Sequence, residues 1–282
     1  MRDQPQISNA SGVTGPKSGT GQTVKLAQRT DQPLDQHGPP GSTKGRKLVV
    51  CIDGTSNQYS DKNTNVIELY SAIKKDTNQL TYYNSGVGTY AKPSWRSYTY
   101  LKQVLNNVID LAIAWNLEKV IIGAYRWLSD TYRPDDQIFL FGFSRGAYQV
   151  RALAAMIESV GLLYAGNQEQ ISFAWELYSD RRHSGKDHQA RIRVFKETFS
   201  RKEVKIHFLG AWDTVSSIGL VRGNLLPLTE NCAYIAHFRH ALALDERRVK
   251  FLPEHVLSTD HSAESENHTV KEVWFVGTHS DM

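Results

Sequence analysis

Apolar runs alternating with helical stretches along 282 residues predict an α/β fold, a mostly parallel sheet with helices on both faces. Two observations carry this. Lys47–Ile52 is a continuous apolar run of the sort that a strand covered on both faces requires, and Leu80–Tyr83, Val204–Trp212 and Val270–Val276 repeat a strand pattern further along. A further run, Ile138-Phe139-Leu140-Phe141, feeds directly into Gly142-Phe143-Ser144-Arg145-Gly146 and then into a helix-like, Ala-rich stretch to Val160, with Gly161 as its stop signal.

Taken in order, residues 1–45 hold seven Gly, five Pro and no aromatic residue, too little apolar surface to offset the entropy of ordering them. Residues 1–46 are therefore expected to be a disordered tail and 47–282 one α/β domain. The run Lys47–Ile52 ends at Asp53-Gly54-Thr55. Asn65–Lys74 carries Val66, Leu69, Tyr70 and Ile73 at helical spacing, and Leu80–Tyr83 leads into a Gly-containing loop, Ser85–Thr89. Strand, helix, strand implies a right-handed crossover.

Leu101–Trp115 and Glu118–Tyr132 read as helices before the Ile138 run. Ile171–Tyr178 and Ala190–Phe199 read as polar-rich helices in an insertion, 162–202, that would suit a cap. Its Phe173, Trp175 and Tyr178 would fit an acyl chain, although core packing explains such residues as well. Tyr234–Leu244 reads as helical, and Val270–Val276 is the last strand, ending at Gly277-Thr278-His279. No repeat of any period is visible.

Composition excludes several functions. Residues 1–47 carry seven Lys/Arg and three Asp/Glu, which accounts for the whole net charge of +4, while residues 48–282 carry 26 of each sign. A neutral globular part gives no electrostatic case for a nucleic-acid partner. Cys51 and Cys232 cannot form a disulfide framework and lack metal-ligand partners at short spacing. No signal-peptide core is present and no apolar run approaches the roughly 18 residues that span a bilayer, so a cytoplasmic protein is expected, with export that does not read a signal peptide left open.

In sheets of this class chemistry sits at the carboxyl ends of the strands, and Asp53, Ser144, Asp213 and His279 fall there. Gly142-Phe143-Ser144-Arg145-Gly146 has the layout of a nucleophile elbow, in which the serine takes a strained conformation and flanking glycines remove clashing side chains. The Arg145 N–H, at the positive end of the following helix, would face a developing oxyanion. A serine needs a base oriented by a carboxylate. Of ten histidines, His279 alone directly follows a strand; His207 lies within one, His237 and His240 lie in the helical reading, and the others sit in polar loops. Asp213 ends the run Phe208-Leu209-Gly210-Ala211-Trp212, with Asp245 and Asp281 as rivals for the acid. An apolar strand ending in Asp-Gly-Thr also suggests an aspartate-nucleophile phosphatase, but the position that would be phosphorylated is Cys51. Gly54 or Thr55 could instead supply a second oxyanion N–H, or the segment could be a structural turn.

Cys51-Ile52-Asp53-Gly54-Thr55-Ser56-Asn57, Gly142-Phe143-Ser144-Arg145-Gly146-Ala147, Ala211-Trp212-Asp213-Thr214-Val215, His240-Ala241-Leu242-Ala243-Leu244-Asp245-Glu246-Arg247 and Phe275-Val276-Gly277-Thr278-His279-Ser280-Asp281 together resemble one family. It is the α/β-hydrolase family typified by the catalytic domain of type VI secretion phospholipase effectors, and the resemblance runs from about Lys47 to the last residue. It implies Ser144 as nucleophile, His279 as base and Asp213 as acid, with small-molecule or lipid esters as substrates; such a triad requires no metal or organic cofactor, and transient membrane contact is left open. In the family the His-Ser-Asp motif continues into an apolar residue, a glycine cluster and a helix, whereas this chain ends at Met282. A missing C-terminal portion is therefore expected, and a catalytically silent scaffold acting as a binding module is the alternative to a serine ester hydrolase.

Overall fold

Six strands build the sheet that carries the site. β1 (Lys47–Ile52) is buried along all but its first residue. The order across the sheet is β2 (Gln79–Asn84), β1, β3 (Gln137–Phe143), β6 (Ile206–Trp212), β7 (Ile235–Ala243) and β8 (Thr269–Phe275), and every adjacent pair is parallel. The structure, a computed structural model, describes residues 45–54, 63–86, 116–180, 185–215, 226–230, 232–248, 254–256 and 269–282. The expected tail to residue 44, the helix read over 101–115, the later part of the 85–89 loop and Thr55 lie outside the described residues.

Period-two alternation divides the strands between two apolar layers. Leu48, Val50, Ile52, Ile138, Leu140, Leu209, Ala211 and Phe238 point into the larger layer, against helix α2 (residues 116–131) and α3 (Arg145–Val160). Val49, Cys51, Phe143 and Ala243 point to the other face and pack with Val66 of α1 (Asn65–Ala72) and with Met282. Helices thus cover both faces, as strands apolar on both sides demand. α1 joins β1 to β2 and α2 lies between β2 and β3 in the chain, so the direction of winding reverses beside β1. The crevice at such a reversal, beyond the strands' carboxyl ends, is where ligands bind in open α/β sheets.

The insertion runs through β4 (Leu162–Leu163), α4 (Ile171–Ser179), α5 (Lys186–Phe199) and β5 (Ser200–Arg201). β4 and β5 pair antiparallel beyond the C-terminal end of α3. There Gly161 takes φ +78°, and a Cβ on it would come within 2.5 Å of Ser200 Cβ. Trp175 and Tyr178 are buried in the main core, whereas Phe173 remains partly exposed.

One element differs in type from its sequence reading. Tyr234–Leu244 was expected to be a helix and is instead strand β7, Ile235–Ala243. Ala and Leu favour helices locally, but helix propensity amounts to only a few tenths of a kcal/mol per residue, less than a place between β6 and β8 provides. The strand alternation is disguised because the buried position between Phe238 and Leu242 is a histidine, His240.

Candidate functional site

The site starts from a backbone that few residues tolerate. Ser144 directly follows β3 and caps α3 with φ 57° and ψ −122°, a conformation a non-glycine residue holds only when its surroundings enforce it. Enforcement comes from both sides: Ser144 N–H donates to Trp212 O at 2.9 Å, and Val215 N–H donates to Ser144 O at 3.3 Å. The flanking glycines are required by contact. A Cβ on Gly142 would lie 2.5 Å from Gly146 O, and one on Gly146 would lie 2.2 Å from Ile52 O. The turn is therefore packed directly on the end of β1.

Ser144, His279 and Asp213 form one hydrogen-bonded chain. Ser144 Oγ lies 2.7 Å from His279 Nε2, and His279 Nδ1 lies 2.6 Å from Asp213 Oδ2. All three are at least nine-tenths buried. A carboxylate on Nδ1 selects the tautomer with its proton there and leaves Nε2 to accept from the serine hydroxyl. The Phe143 ring stacks on the imidazole at 4.8 Å between centroids, which fixes the ring plane from one side. Asp213 itself takes φ 41°, held by its N–H on Ala241 O at 2.7 Å and by the Ala243 N–H on its Oδ1 at 3.1 Å.

The rival carboxylates have other partners. Asp245 Oδ2 accepts from Gly277 N–H at 2.8 Å, and Asp281 Oδ2 accepts from the Thr278 N–H and hydroxyl at 2.8 Å each, closing a capping box on the short 3₁₀ turn His279–Asp281. Both thus shape the segment that carries His279. Glu246, quoted in the His240–Arg247 motif without a role, accepts the His279 N–H at 3.2 Å. Its carboxyl is pulled down to about 2, mainly by the two-pronged bond from Arg248.

At the end of β1, Asp53 is fully buried and accepts from the Thr64 hydroxyl at 2.8 Å and the Tyr83 hydroxyl at 3.1 Å. Thr64 also caps α1 by accepting from Ile67 N–H at 3.2 Å, so Asp53 ties β1 to α1 and β2. The Gly54 N–H, expected as an oxyanion donor, is engaged at 2.6 Å by Asp53 Oδ1. The reason is local: the carboxylate one residue before it is buried and needs donors. Arg145 is the first residue of the 16-residue α3, so its backbone N–H lies at the N-terminal, positive end of that helix. Among the described residues no cluster of His, Cys, Asp and Glu suits a metal ion, and no helix is long and apolar enough to cross a membrane.

A parallel sheet with a strained serine between its central strand and a buried helix defines the α/β-hydrolase architecture. Residues 46–282 match the family model described as T6SS, phospholipase effector Tle1-like, catalytic domain, and the chain belongs to that family. It is 37% identical over 222 residues to "Uncharacterized protein YEL023C" of Saccharomyces cerevisiae, an alignment covering 74% of this chain and 32% of that protein. Among solved structures it is similar to an uncharacterised protein from Pseudomonas aeruginosa, with TM-score 0.42 and 18% identity over 84% of this chain and 41% of that one. It is also similar to the Tle1 effector bound to the VgrG spike of the type 6 secretion system, with TM-score 0.38 and 15% identity over 84% of this chain and 51% of that one. The chain therefore spans about a third of the length of the curated relative it matches and about half, or less, of those two solved structures.

Proposed function

We propose that this chain is a serine hydrolase of carboxylic esters, lipid esters among them. The observation that carries the reading is the buried chain Ser144 Oγ to His279 to Asp213 at 2.7 and 2.6 Å, which has the distances that nucleophile activation requires. Ser144 attacks the acyl carbonyl while His279 Nε2 takes its proton. Asp213 holds the ring and stabilises the imidazolium. The Arg145 N–H, at the positive end of α3, faces the oxyanion; Gly54 would have to release Asp53 to add a second donor. His279 then returns the proton to the leaving alcohol, and water repeats the sequence on the acyl-enzyme. Membership of a family described as a phospholipase effector catalytic domain supports a lipid acyl group as substrate.

The test uses the purified chain with p-nitrophenyl butyrate, p-nitrophenyl octanoate and phosphatidylcholine vesicles, together with labelling by a fluorophosphonate probe. Turnover and labelling that both disappear in Ser144→Ala are expected. A folded chain that neither turns over nor labels would overturn the reading and leave a silent scaffold, and turnover unchanged in Ser144→Ala would assign it to other residues.

A further inference from the structure

A second histidine lies inside the sheet behind Asp213. His240, in the middle of β7, is in register with Ala211 of β6 and Glu272 of β8, and its side chain is fully buried. Its two ring nitrogens have different partners. Nε2 is 3.1 Å from the backbone N of Thr214, and Nδ1 is 2.8 Å from Glu272 Oε1. A backbone N–H can only donate, so Nε2 must carry the lone pair, and the proton of the neutral ring sits on Nδ1 and donates to Glu272. The backbone thus selects the tautomer.

Thr214 directly follows Asp213, whose left-handed backbone, φ 41°, persists only where its neighbours enforce it. The holds come from β7: Ala241 O on the Asp213 N–H, Ala243 N–H on Oδ1, and the His240 ring on the Thr214 N–H. The first two fix Asp213 from its own atoms. The third fixes the peptide plane between Asp213 and Thr214. We propose that His240 is a positioning residue: as a neutral ring it holds the Asp213–Thr214 turn through the Thr214 N–H and so aims the Asp213 carboxylate at His279.

The surroundings favour that neutral ring. Burial pushes the His240 imidazole below its ordinary range, with the nearby Arg151 of α3 adding to the effect, while Glu272 and Asp213 pull the other way. Glu272 is shared, its second oxygen lying 3.3 Å from His255 Nδ1. Were the ring protonated, two N–H groups would face each other at 3.1 Å and the turn would lose its acceptor.

The proposal rests on the hydrolase reading above, and its test separates the two. His240→Gln places an amide oxygen near the Nε2 position and keeps an acceptor for Thr214; His240→Asn reaches only the Nδ1 position and does not. Steady-state turnover of p-nitrophenyl butyrate is measured for both variants, and ¹⁵N-histidine NMR reports ring tautomers in the same proteins. Expected are a kcat within about threefold of the parent for His240→Gln, and a kcat lower by about tenfold or more at unchanged KM for His240→Asn. The His279 ring resonances should also shift in His240→Asn. The NMR of the parent chain should show His240 protonated on Nδ1. His240 protonated on Nε2 would overturn the proposal even if His240→Asn fails to fold. So would a folded His240→Asn with parental kcat and unshifted His279 resonances. Absence of Ser144-dependent turnover in the parent would sink the hydrolase reading alone, because the tautomer and the His279 resonances still decide the role of His240.

Discussion

The backbone N–H of His279 donates to the carboxylate of Glu246 at 3.2 Å, so the segment after β7 holds the turn after β8. Glu246 is itself clamped by Arg248 at 2.7 and 2.8 Å, and its side chain is 6% exposed. The contact fixes where the imidazole starts, while Asp213 fixes where it points. Glu246→Ala is expected to lower kcat for ester turnover by about tenfold with little change in KM, and Glu246→Gln, which keeps an acceptor oxygen, by about threefold or less. The carboxyl is depressed to about 2, so its contribution is complete above 4.5, the ordinary value, and disappears as pH falls toward 2. The difference in Tm between the parent and Glu246→Gln should accordingly close over that window, and a gap that persists at pH 2 would contradict this account.

Gly146 is where the serine turn touches β1. An added Cβ would lie 2.2 Å from Ile52 O and 2.6 Å from Asp53 O, both backbone atoms that cannot step aside without moving the strand. Gly146→Ala should therefore destabilise by roughly 2–3 kcal/mol, which for a domain of this size lowers Tm by roughly 5–10 °C. A thermal melt with unchanged midpoint would show that the turn does not pack as described.

Ser144, Asp213 and His279 stood out in the sequence because each lies just beyond an apolar run, where a polar residue comes to the mouth of a parallel sheet. Which aspartate meets His279 was not decided there: Asp245 and Asp281 stood as rivals until the structure put Asp213 on its Nδ1. Glu246 and His240 stand in one of the quoted motifs, but their holding roles were not legible, since each works across strands: Glu246 reaches His279 over 33 positions and His240 reaches Thr214 over 26. β7 was hidden for a related reason. Its Ala-Leu-rich sequence has helical preference, and the buried member of its alternation is a histidine whose polarity is satisfied by Thr214 and Glu272, contacts that local periodicity cannot reveal. The engagement of Gly54 by Asp53 was equally invisible, because it depends on Asp53 being fully buried.

Arg151 is a buried cation on α3 that holds two loops by their carbonyls. Its guanidinium donates to Thr229 O at 2.9 Å, to Glu254 O at 2.7 Å and to His255 O at 3.5 Å, and it lies over the Phe238 ring. Glu254 N–H in turn donates to Thr214 O, which links this anchor to the Asp213 turn. Arg151→Met fills similar volume but leaves buried carbonyls without their donor. A loss of about 3 kcal/mol in chemical denaturation is expected. Arg151→Lys should recover less than half of it, because an ammonium cannot span the same carbonyls in one plane.

Three aspartates stand near His279, and their hydrogen bonds assign them different work. Asp213 Oδ2 meets the ring at Nδ1, whereas Asp245 and Asp281 meet the backbone at Gly277 and Thr278. In Asp213→Asn the amide can turn its NH₂ toward Nδ1, which favours the tautomer with the proton on Nε2, the wrong one for accepting from Ser144. kcat should fall by about 10³–10⁴ with the fold intact, by analogy with the same change in serine proteases. Asp245→Asn and Asp281→Asn each retain a carbonyl oxygen for their N–H partners and should cost no more than about tenfold. Fluorophosphonate labelling rates of Ser144 measure the three variants on one scale. If Asp245→Asn or Asp281→Asn slowed labelling as much as Asp213→Asn, the carboxylate that orients His279 in solution would not be the one this geometry gives.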